Sequence, residues 1–299
     1  MDSPSPLIVI LGPTASGKTR LAVELAKRIG GAIISADSRQ IYRYMDIGTG
    51  KDLDEYGTVP YHLIDIVEPG TLYNVSQYRR DALAAIQEVR QAGKRPILCG
   101  GTGLYIQTLL QSLPYSDVPV DETLRGTLEH LSTAQLAERL ARLPLPANYT
   151  PDTSTRKRTI RALEIAEWYK LNPQGKDDSP PIKAHVFGIS VPLEERRRRI
   201  TVRLKQRLQQ GLIEEVQSLL DRGLTPAQLF RYGLEYKYVT AYLLSELDYP
   251  TLFARLNTEI HRYAKRQMTY FRKMEKDGIS IQWVAAKDFP QLGQQLASE

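Results

Sequence analysis

The stretch that decides the fold is "LIVILGPTASGKT", residues 7–19. Its first five residues are an uninterrupted apolar run, the signature of a strand buried on both faces of a parallel sheet. Gly12, Pro13, Thr14, Ala15, Ser16, Gly17, Lys18 and Thr19 then satisfy G-x-x-x-x-G-K-[ST], and "KTRLAVELAKRIG" reads as a helix stopped by Gly30 and Gly31. Strand, glycine loop and helix together make a phosphate-binding loop. Its glycines let backbone N–H groups converge on phosphate oxygens, and the helix N-terminus adds positive potential. Lys18 supplies a point charge for the outer phosphates, and Thr19 offers a hydroxyl to Mg²⁺. Read alone, the loop suggests ATP, and kinases, ATPases, GTPases and some transferases all use it.

Working outward, "AIISAD" predicts a second strand ending at Asp37, and "YHLIDIV" a third. "NVSQYRRDALAAIQEVRQAG" predicts the helix after it. "RPILCGGTG" predicts a fourth strand running into a second glycine turn, followed by a helix from Leu104. This alternation predicts an α/β fold, a P-loop NTPase-like parallel sheet flanked by helices. Ligands bind such sheets at the carboxyl ends of the strands, where Lys18, Asp37 and Thr102 fall. From about residue 115 to 180 the pattern becomes helices broken by "LPLPANYTP" and "LNPQGKDDSPP". The division expected is therefore an α/β core over 1–114, an inserted helical subdomain over 115–182, and a returning strand with a basic helical region over 183–299. In that last part "AHVFGISV" and "ISIQWV" read as strands. Ile200, Leu204 and Leu208 form an apolar stripe before Gly211. On "IHRYAKRQMTYFRKM", Arg262, Lys265, Arg266, Arg272 and Lys273 share one face, and Ile260, Tyr263, Ala264, Phe271 and Met274 the other.

The 299-residue chain carries a formal charge of +6. Residues 183–276 hold 18 basic and 10 acidic side chains, a net of +8, so the remainder sums to −2. A basic half on a balanced protein points to a polyanionic partner, the alternative being a solvated helical surface. The one cysteine, Cys99, forms no intrachain disulfide, which fits a reducing compartment. The four histidines lack zinc-ligand spacing, and neither a signal segment nor a membrane span is legible. A cytoplasmic protein is expected.

Asp37 lies opposite the phosphate loop. A carboxylate there binds Mg²⁺ through water or acts as a general base; equally, Asp37 or Ser38 can cap a helix over "RQIYRYM". Thr102 is either a phosphate donor or another cap. No helical D-D-x-x-D motif occurs, and the one adjacent Asp pair, Asp177-Asp178, sits in a Pro/Gly-rich linker. A prenyl pyrophosphate would therefore have to be held by the phosphate loop.

"GPTASGKT", "ISADSRQIYRYMDIGTGK", "HLIDIVEP", "QYRRDA", "PILCGGTGLYI", "RTIRALEI" and "AKRQMTYFRK" together resemble the tRNA dimethylallyltransferases (tRNA isopentenyltransferases), in that family's order and over roughly residues 7–275. The resemblance implies transfer of a dimethylallyl group from dimethylallyl pyrophosphate to the N6 amine of the adenosine adjacent to the anticodon, in tRNAs reading codons that begin with U. It implies that Gly12 to Thr19 hold the pyrophosphate, with Lys18 neutralising it and Thr19 binding Mg²⁺. Asp37 would accept the N6 proton, and Thr102 would bond the bridging oxygen. Asp37, Ser38, Arg39 and Gln40 would contact the target nucleotide. Arg125 and the run Lys157, Arg158, Thr159, Ile160, Arg161 match tRNA contacts of the inserted subdomain. Arg203 matches an arginine facing the pyrophosphate. A monomer gripping the anticodon arm is implied.

The chain departs from that pattern in the half implied to face RNA. Ser154-Thr155 stand where Asn-Asp is usual, "YGLEYKYV" replaces G-Y-[RK]-E, and the helical insert is short. Without the resemblance, Arg158 and Arg161 read as surface partners of Glu164 and Glu167, Arg196 to Arg199 as a solvated charge run, and Tyr263 and Phe271 as core. Three other functions compete: prenylation of a free adenine nucleotide, a small-molecule kinase using the same Lys18 and Thr19 with Arg156, Arg158 and Arg161 as lid arginines, and a P-loop RNA-binding protein without chemistry, in which Asp37 and Thr102 would be mere caps.

Overall fold

The computed structural model describes residues 5–111, 113, 115, 118–145, 149–172 and 182–297. They fall into two compact units, one of Met1–Leu110 with Ile182–Glu299 and one of Gln111–Pro181. Among the described residues no helix is long and apolar enough to cross a membrane.

The larger unit is built on a parallel sheet. Its strands are β1 (Leu7–Leu11), β2 (Gly31–Ser35), β3 (Tyr61–His62), β4 (Arg95–Gly100), β5 (Ala184–Ser190) and β6 (Gln282–Ala285), in the order β3-β2-β4-β1-β5-β6. β1 lies between β4 and β5, with Ile10 opposite Cys99 on one side and Phe187 on the other. Its five residues are all buried, because alternate side chains enter different cores. Leu7, Val9 and Leu11 pack with Tyr78, Ala82 and Ile86 of α2 (Val75–Gln91), Ile106 and Leu109 of α3 (Gly103–Leu110), and Phe271. Ile8 and Ile10 pack with Leu21, Ala22 and Leu25 of α1 (Lys18–Ile29) on the opposite face. Each fully buried aliphatic side chain contributes about 1.5–3 kcal/mol. The apolar run thus stabilises both layers, and it sets the phosphate loop at the sheet's carboxyl edge.

The helices α7 (Leu193–Gln209), α8 (Leu212–Asp221), α9 (Pro226–Leu229), α10 (Leu234–Leu243), α11 (Tyr249–Lys276) and α12 (Phe289–Ala297) also belong to this unit. Ile200, Leu204 and Leu208 of α7 are buried, as their spacing predicts, in a third core with Val216, Tyr236, Leu256, Ile260 and Ala264. On α11 the five cations of the expected polar face are all exposed.

Several local expectations are corrected. Gly30 ends α1 in the left-handed region at φ 65°, but Gly31 already opens β2. β2 stops at Ser35, so Asp37 stands in the following loop. "YHLIDIV" forms a strand only at Tyr61–His62, because Leu63 and Asp65 take φ values of 62° and 56°; beyond them one bridge pairs Val67 with Tyr42. "RQIYRYM" forms turns and no helix.

The smaller unit packs α4 (Glu122–Leu128), α5 (Thr133–Ala141) and α6 (Arg156–Leu171) around Leu128, Leu136, Leu140 and Leu163. Residues 173–181, including the Asp177-Asp178 pair, lie outside the described residues.

Candidate active site

The phosphate loop turns where its sequence requires. Gly17 lies at φ 83°, and Ser16 N–H closes a turn onto the Pro13 carbonyl at 3.2 Å. Ala15 takes φ 61° without being glycine, a strained conformation of the kind that clusters at functional sites. The loop is tied to α11 from 253 residues away: Gln267 Oε1 accepts from Thr14 N–H at 2.8 Å. The same amide donates from Nε2 to the Gly101 carbonyl at 3.0 Å, so one side chain joins the phosphate loop to the second glycine turn. Gln267 is 7% exposed. Helical spacing puts it on the buried face of α11, but its polar head finds two backbone partners there. Lys18 follows at the start of α1. Burial holds its ammonium below the ordinary lysine value, opposed by the fields of Cys99 and Asp37. An anion placed against Lys18 would relieve that penalty.

Asp37, Ser38 and Arg39 are half-buried beside Lys18, in the loop after β2. Asp37 Oδ1 accepts from Arg39 N–H at 2.9 Å, making an Asx turn and no helix cap. Its carboxylate keeps acceptor capacity beyond that bond. Thr102 precedes α3, where a cap was the alternative expectation. Its hydroxyl instead accepts from Ser38 N–H at 3.1 Å, and its proton points to Ser38 Oγ across a long 3.4 Å contact. The carboxyl ends of β2 and β4 meet closely here: a Cβ on Gly100 would lie 2.2 Å from the Ala36 carbonyl oxygen. Gln40 is buried and bridges the two sides, accepting from Ser35 Oγ at 2.9 Å and donating to the Gly50 carbonyl at 3.0 Å.

The segment Met45–Lys51 forms a third wall. Lys51 is buried, with Nζ on the Tyr42 carbonyl at 2.8 Å, on Asp46 at 2.6 Å and on Asp65. From outside, the Glu215 carboxylate of α8 accepts N–H bonds from Asp46 (2.8 Å), Ile47 (2.6 Å) and Gly48 (2.9 Å), plus the Tyr236 hydroxyl at 2.8 Å. Burial and that carboxylate push the Tyr236 hydroxyl well above its ordinary value, so it stays a donor. Gly50 is required by both conformation and space. Its φ is 63°, and a Cβ there would lie 1.6 Å from Arg207 Nη2. Arg207 Nη1 donates to the Gly48 carbonyl at 3.3 Å and lies 3.6 Å from Glu235. Arg203, one turn earlier on α7, pairs with Asp52. Burial raises the Glu235 carboxyl above its ordinary value, although Arg207 opposes that shift.

These walls enclose a cleft of ≈ 510 Å³ whose lining includes Lys18, Thr19, Asp37, Thr102, Arg203 and Arg207. A second cavity of ≈ 660 Å³ opens on the outer side of the phosphate loop and shares Lys18, Thr19, Arg203 and Arg207 with the first. Thr14, Ser38, Arg39 and Gln40 also line the main cleft, and so does Tyr263, which was expected in the core. Phe271 is core, at 0% exposure. Sequence reading missed Arg207, Gln267, Glu215 and Glu235. Gln267 lies within "AKRQMTYFRK" and Glu235 within "YGLEYKYV", whereas no motif marks Arg207 or Glu215.

Among the described residues no group of three His, Cys, Asp or Glu side chains can hold a metal. Thr19 with Asp37 nearby suits an ion that takes most of its ligands from phosphate oxygens and water.

In the smaller unit the sequence-selected residues divide. Lys157 and Arg158 are exposed, and Arg158 pairs with Asp152 at 2.8 Å, not with Glu164 or Glu167. Arg125 lies 2.8 Å and Arg161 3.2 Å from the buried Glu164. Arg161 also donates to the Val118 carbonyl at 2.6 Å. Glu167 pairs with Arg139. Thr159 is buried with its hydroxyl on the Thr155 carbonyl at 3.2 Å, and Ile160 packs against the small core. In this state Arg125, Thr159, Ile160 and Arg161 organise the unit itself. The run at α7 is likewise paired, Arg197 with Glu194 and Arg198 and Arg199 with Glu195.

Comparison with known proteins places this geometry in a family. A family model described as IPP transferase matches residues 40–274. The tRNA dimethylallyltransferase 2 of Bacteroides fragilis is 49% identical over 284 residues, covering 94% of this chain and 92% of that protein. The crystal structure of the tRNA isopentenylpyrophosphate transferase of Bacillus halodurans superposes with a TM-score of 0.72 at 32% identity, covering 98% and 96% of the two chains. A eukaryotic dimethylallyltransferase acting on tRNA shares the fold, with a TM-score of 0.77 at 23% identity over 95% of this chain and 75% of that one. With a family match over most of its length and a near half-identical relative across almost all of it, the chain belongs to the IPP transferase family.

Proposed function

We propose that this protein transfers the dimethylallyl group of dimethylallyl pyrophosphate to the N6 amine of the adenosine adjacent to the anticodon of tRNA, in tRNAs reading codons that begin with U. The observation that carries the reading is the convergence of a phosphate loop, a half-buried carboxylate and a loosely held hydroxyl on one cleft: Lys18 and Thr19, Asp37, and Thr102. The N6 nitrogen attacks C1 of the allyl group, the C1–O bond breaks, and pyrophosphate departs with the bonding pair. The proton released from nitrogen passes to Asp37. An exocyclic amine is a weak nucleophile, so orientation and leaving-group stabilisation carry most of the acceleration.

The backbone of Gly12 to Thr19, Lys18, and Arg203 and Arg207 bind the pyrophosphate. Lys18 gains from it, because the anion offsets the burial that depresses its ammonium. Thr102 turns its hydroxyl proton from the 3.4 Å Ser38 contact to the bridging oxygen as charge develops there. Thr19 would hold Mg²⁺ against the phosphates, where the ion supplies charge neutralisation. Ser38, Arg39 and Gln40 line the acceptor side. The target base leaves its loop to reach the cleft. The exposed Arg262, Lys265, Arg266, Arg272 and Lys273 of α11 supply phosphate contacts, and Lys157 and Arg158 supply others from the smaller unit. We further propose a monomer, acting in the cytoplasm.

Incubation with labelled dimethylallyl pyrophosphate and unmodified tRNA tests this directly. Label appearing on the tRNA adenosine supports it. Label on AMP but not on tRNA would replace it with nucleotide prenylation, and phosphoryl transfer from labelled ATP would replace both with a kinase.

A further inference from the structure

Phe230 follows α9 at the rim of the cleft and is 39% exposed. Its neighbours in sequence behave differently. Leu229 and Tyr232 are buried in the helical core and Leu234 packs against it, whereas Phe230 stands outside that cluster. Of the five phenylalanines in the chain, Phe187, Phe271 and Phe289 are buried and Phe253 is half-buried, so Phe230 is the exposed one. Leaving an aromatic face in water forgoes burial energy that the other four recover.

The backbone that presents it is held firmly. Thr225 and Gln228 make a reciprocal cap on α9. Phe230 N–H donates to the Pro226 carbonyl at 3.0 Å and Arg231 N–H to the Gln228 carbonyl at 3.0 Å. Arg39 Nη1 donates to the Arg231 carbonyl at 2.7 Å, which ties this turn to the loop bearing Asp37 and Ser38. The Tyr232 hydroxyl accepts from Gly70 N–H, and its ring meets Tyr42 edge-on at 4.6 Å. The backbone of the turn is thus hydrogen-bonded on both sides of Phe230, while the ring is left exposed at the rim. Arg39, Arg231, Lys237 and Arg266 line the same cleft. An open aromatic face among cations is the pairing that single-stranded nucleic acid selects: bases stack on the ring, and the phosphates meet the charges.

We infer that Phe230 is a stacking platform for an unpaired nucleobase of the acceptor RNA, one flanking the nucleotide that enters the cleft. This rests on the RNA-acceptor reading above. When the target base leaves its stack, a flanking base loses a neighbour, and the phenyl face replaces it at the cleft mouth.

The test uses the full chain and an anticodon stem-loop RNA, with affinity measured by fluorescence anisotropy and KM for each substrate by label transfer. Phe230→Ala is expected to weaken RNA binding about tenfold, with KM for dimethylallyl pyrophosphate unchanged. Phe230→Trp is expected to restore affinity, and Phe230→Leu, apolar but without a π-face, to stay weak. An abasic substitution at one flanking nucleotide should weaken wild type about tenfold yet leave Phe230→Ala unaffected. RNA affinity in Phe230→Ala or Phe230→Leu equal to wild type overturns the inference, as does an abasic penalty of full size in Phe230→Ala. Wild type that labels the RNA while Phe230→Ala binds it equally well removes this inference alone; wild type that labels no RNA removes the reading beneath it.

Discussion

At the scale of the residue, the site is a set of charges held away from their relaxed states. Asp37 spends one oxygen on the Arg39 N–H and has acceptor capacity left for a proton. Asp37→Asn should therefore lower kcat by roughly 10²–10³-fold while tRNA affinity stays within about twofold of wild type; loss of tRNA binding instead would make Asp37 a binding residue. Lys18 is shaped by burial. Burial favours its neutral form, so its ammonium dissociates below the ordinary lysine value. Pyrophosphate binds the ammonium form. Loss of the Lys18 proton should lower pyrophosphate affinity as pH rises through the lowered value, against the charge that pyrophosphate itself gains with pH. Inhibition by pyrophosphate, followed against pH, should begin to weaken before an ordinary lysine titrates, and Lys18→Met should remove that step. The Lys18 shift was not legible in the motif, which names the lysine and not its surroundings.

At the scale of the element, the glycine loops are positioned by side chains from distant helices. Glu215 gathers three consecutive N–H groups and a tyrosine hydroxyl, and the loop it holds carries Gly48 and Gly50 against Arg207. Glu215→Ala leaves those donors without their acceptor. It should cost about 2 kcal/mol in urea unfolding and raise KM for dimethylallyl pyrophosphate more than KM for tRNA. Equal effects on both would assign Glu215 to general stability. Gln267→Met keeps the shape and removes both backbone bonds. We expect roughly tenfold lower kcat with tRNA affinity retained, measured in single turnover, since Gln267 holds the phosphate loop and the Thr102 turn in mutual register. Helical periodicity identified the buried face of α11, except that Tyr263 lines the cleft. It does not say that a glutamine on that face meets two loops, one of them 253 residues away. The third strand was overread for a related reason. Apolar alternation over "YHLIDIV" is genuine, but Asp65 is drawn to the buried Lys51, and positive φ values at Leu63 and Asp65 end the ladder.

At the scale of the whole molecule, charge is distributed by function. Most of the charged side chains behind the net of +8 over residues 183–276 lie on helices, and α11 keeps its cations exposed along its length. Binding of tRNA should weaken steeply with salt, and removing Lys265 and Arg272 together should reduce the slope of log Kd against log salt by about one to two. An unchanged slope would make that face a solvated surface. The run Arg197 to Arg199 is already satisfied by Glu194 and Glu195, and substitutions there should change the slope little. Buried charge also sustains the frame: Lys51→Met should cost ~3 kcal/mol, seen as a lower urea midpoint.

By itself the sequence determined what depends on near neighbours. The apolar run of β1, the glycine loop, the start of α1, the stripe of α7 and the exposed face of α11 follow from side-chain period, backbone freedom and solvation, all legible within a dozen residues. The tertiary structure alone decided the partners. The Thr102 hydroxyl meets Ser38, Arg207 and Glu235 meet in the cleft, and Gln267 joins two glycine turns. Parallel strands bring their carboxyl ends together only after long crossovers. The groups that meet at that edge are therefore remote in sequence, and only their burial in one place selects the partners.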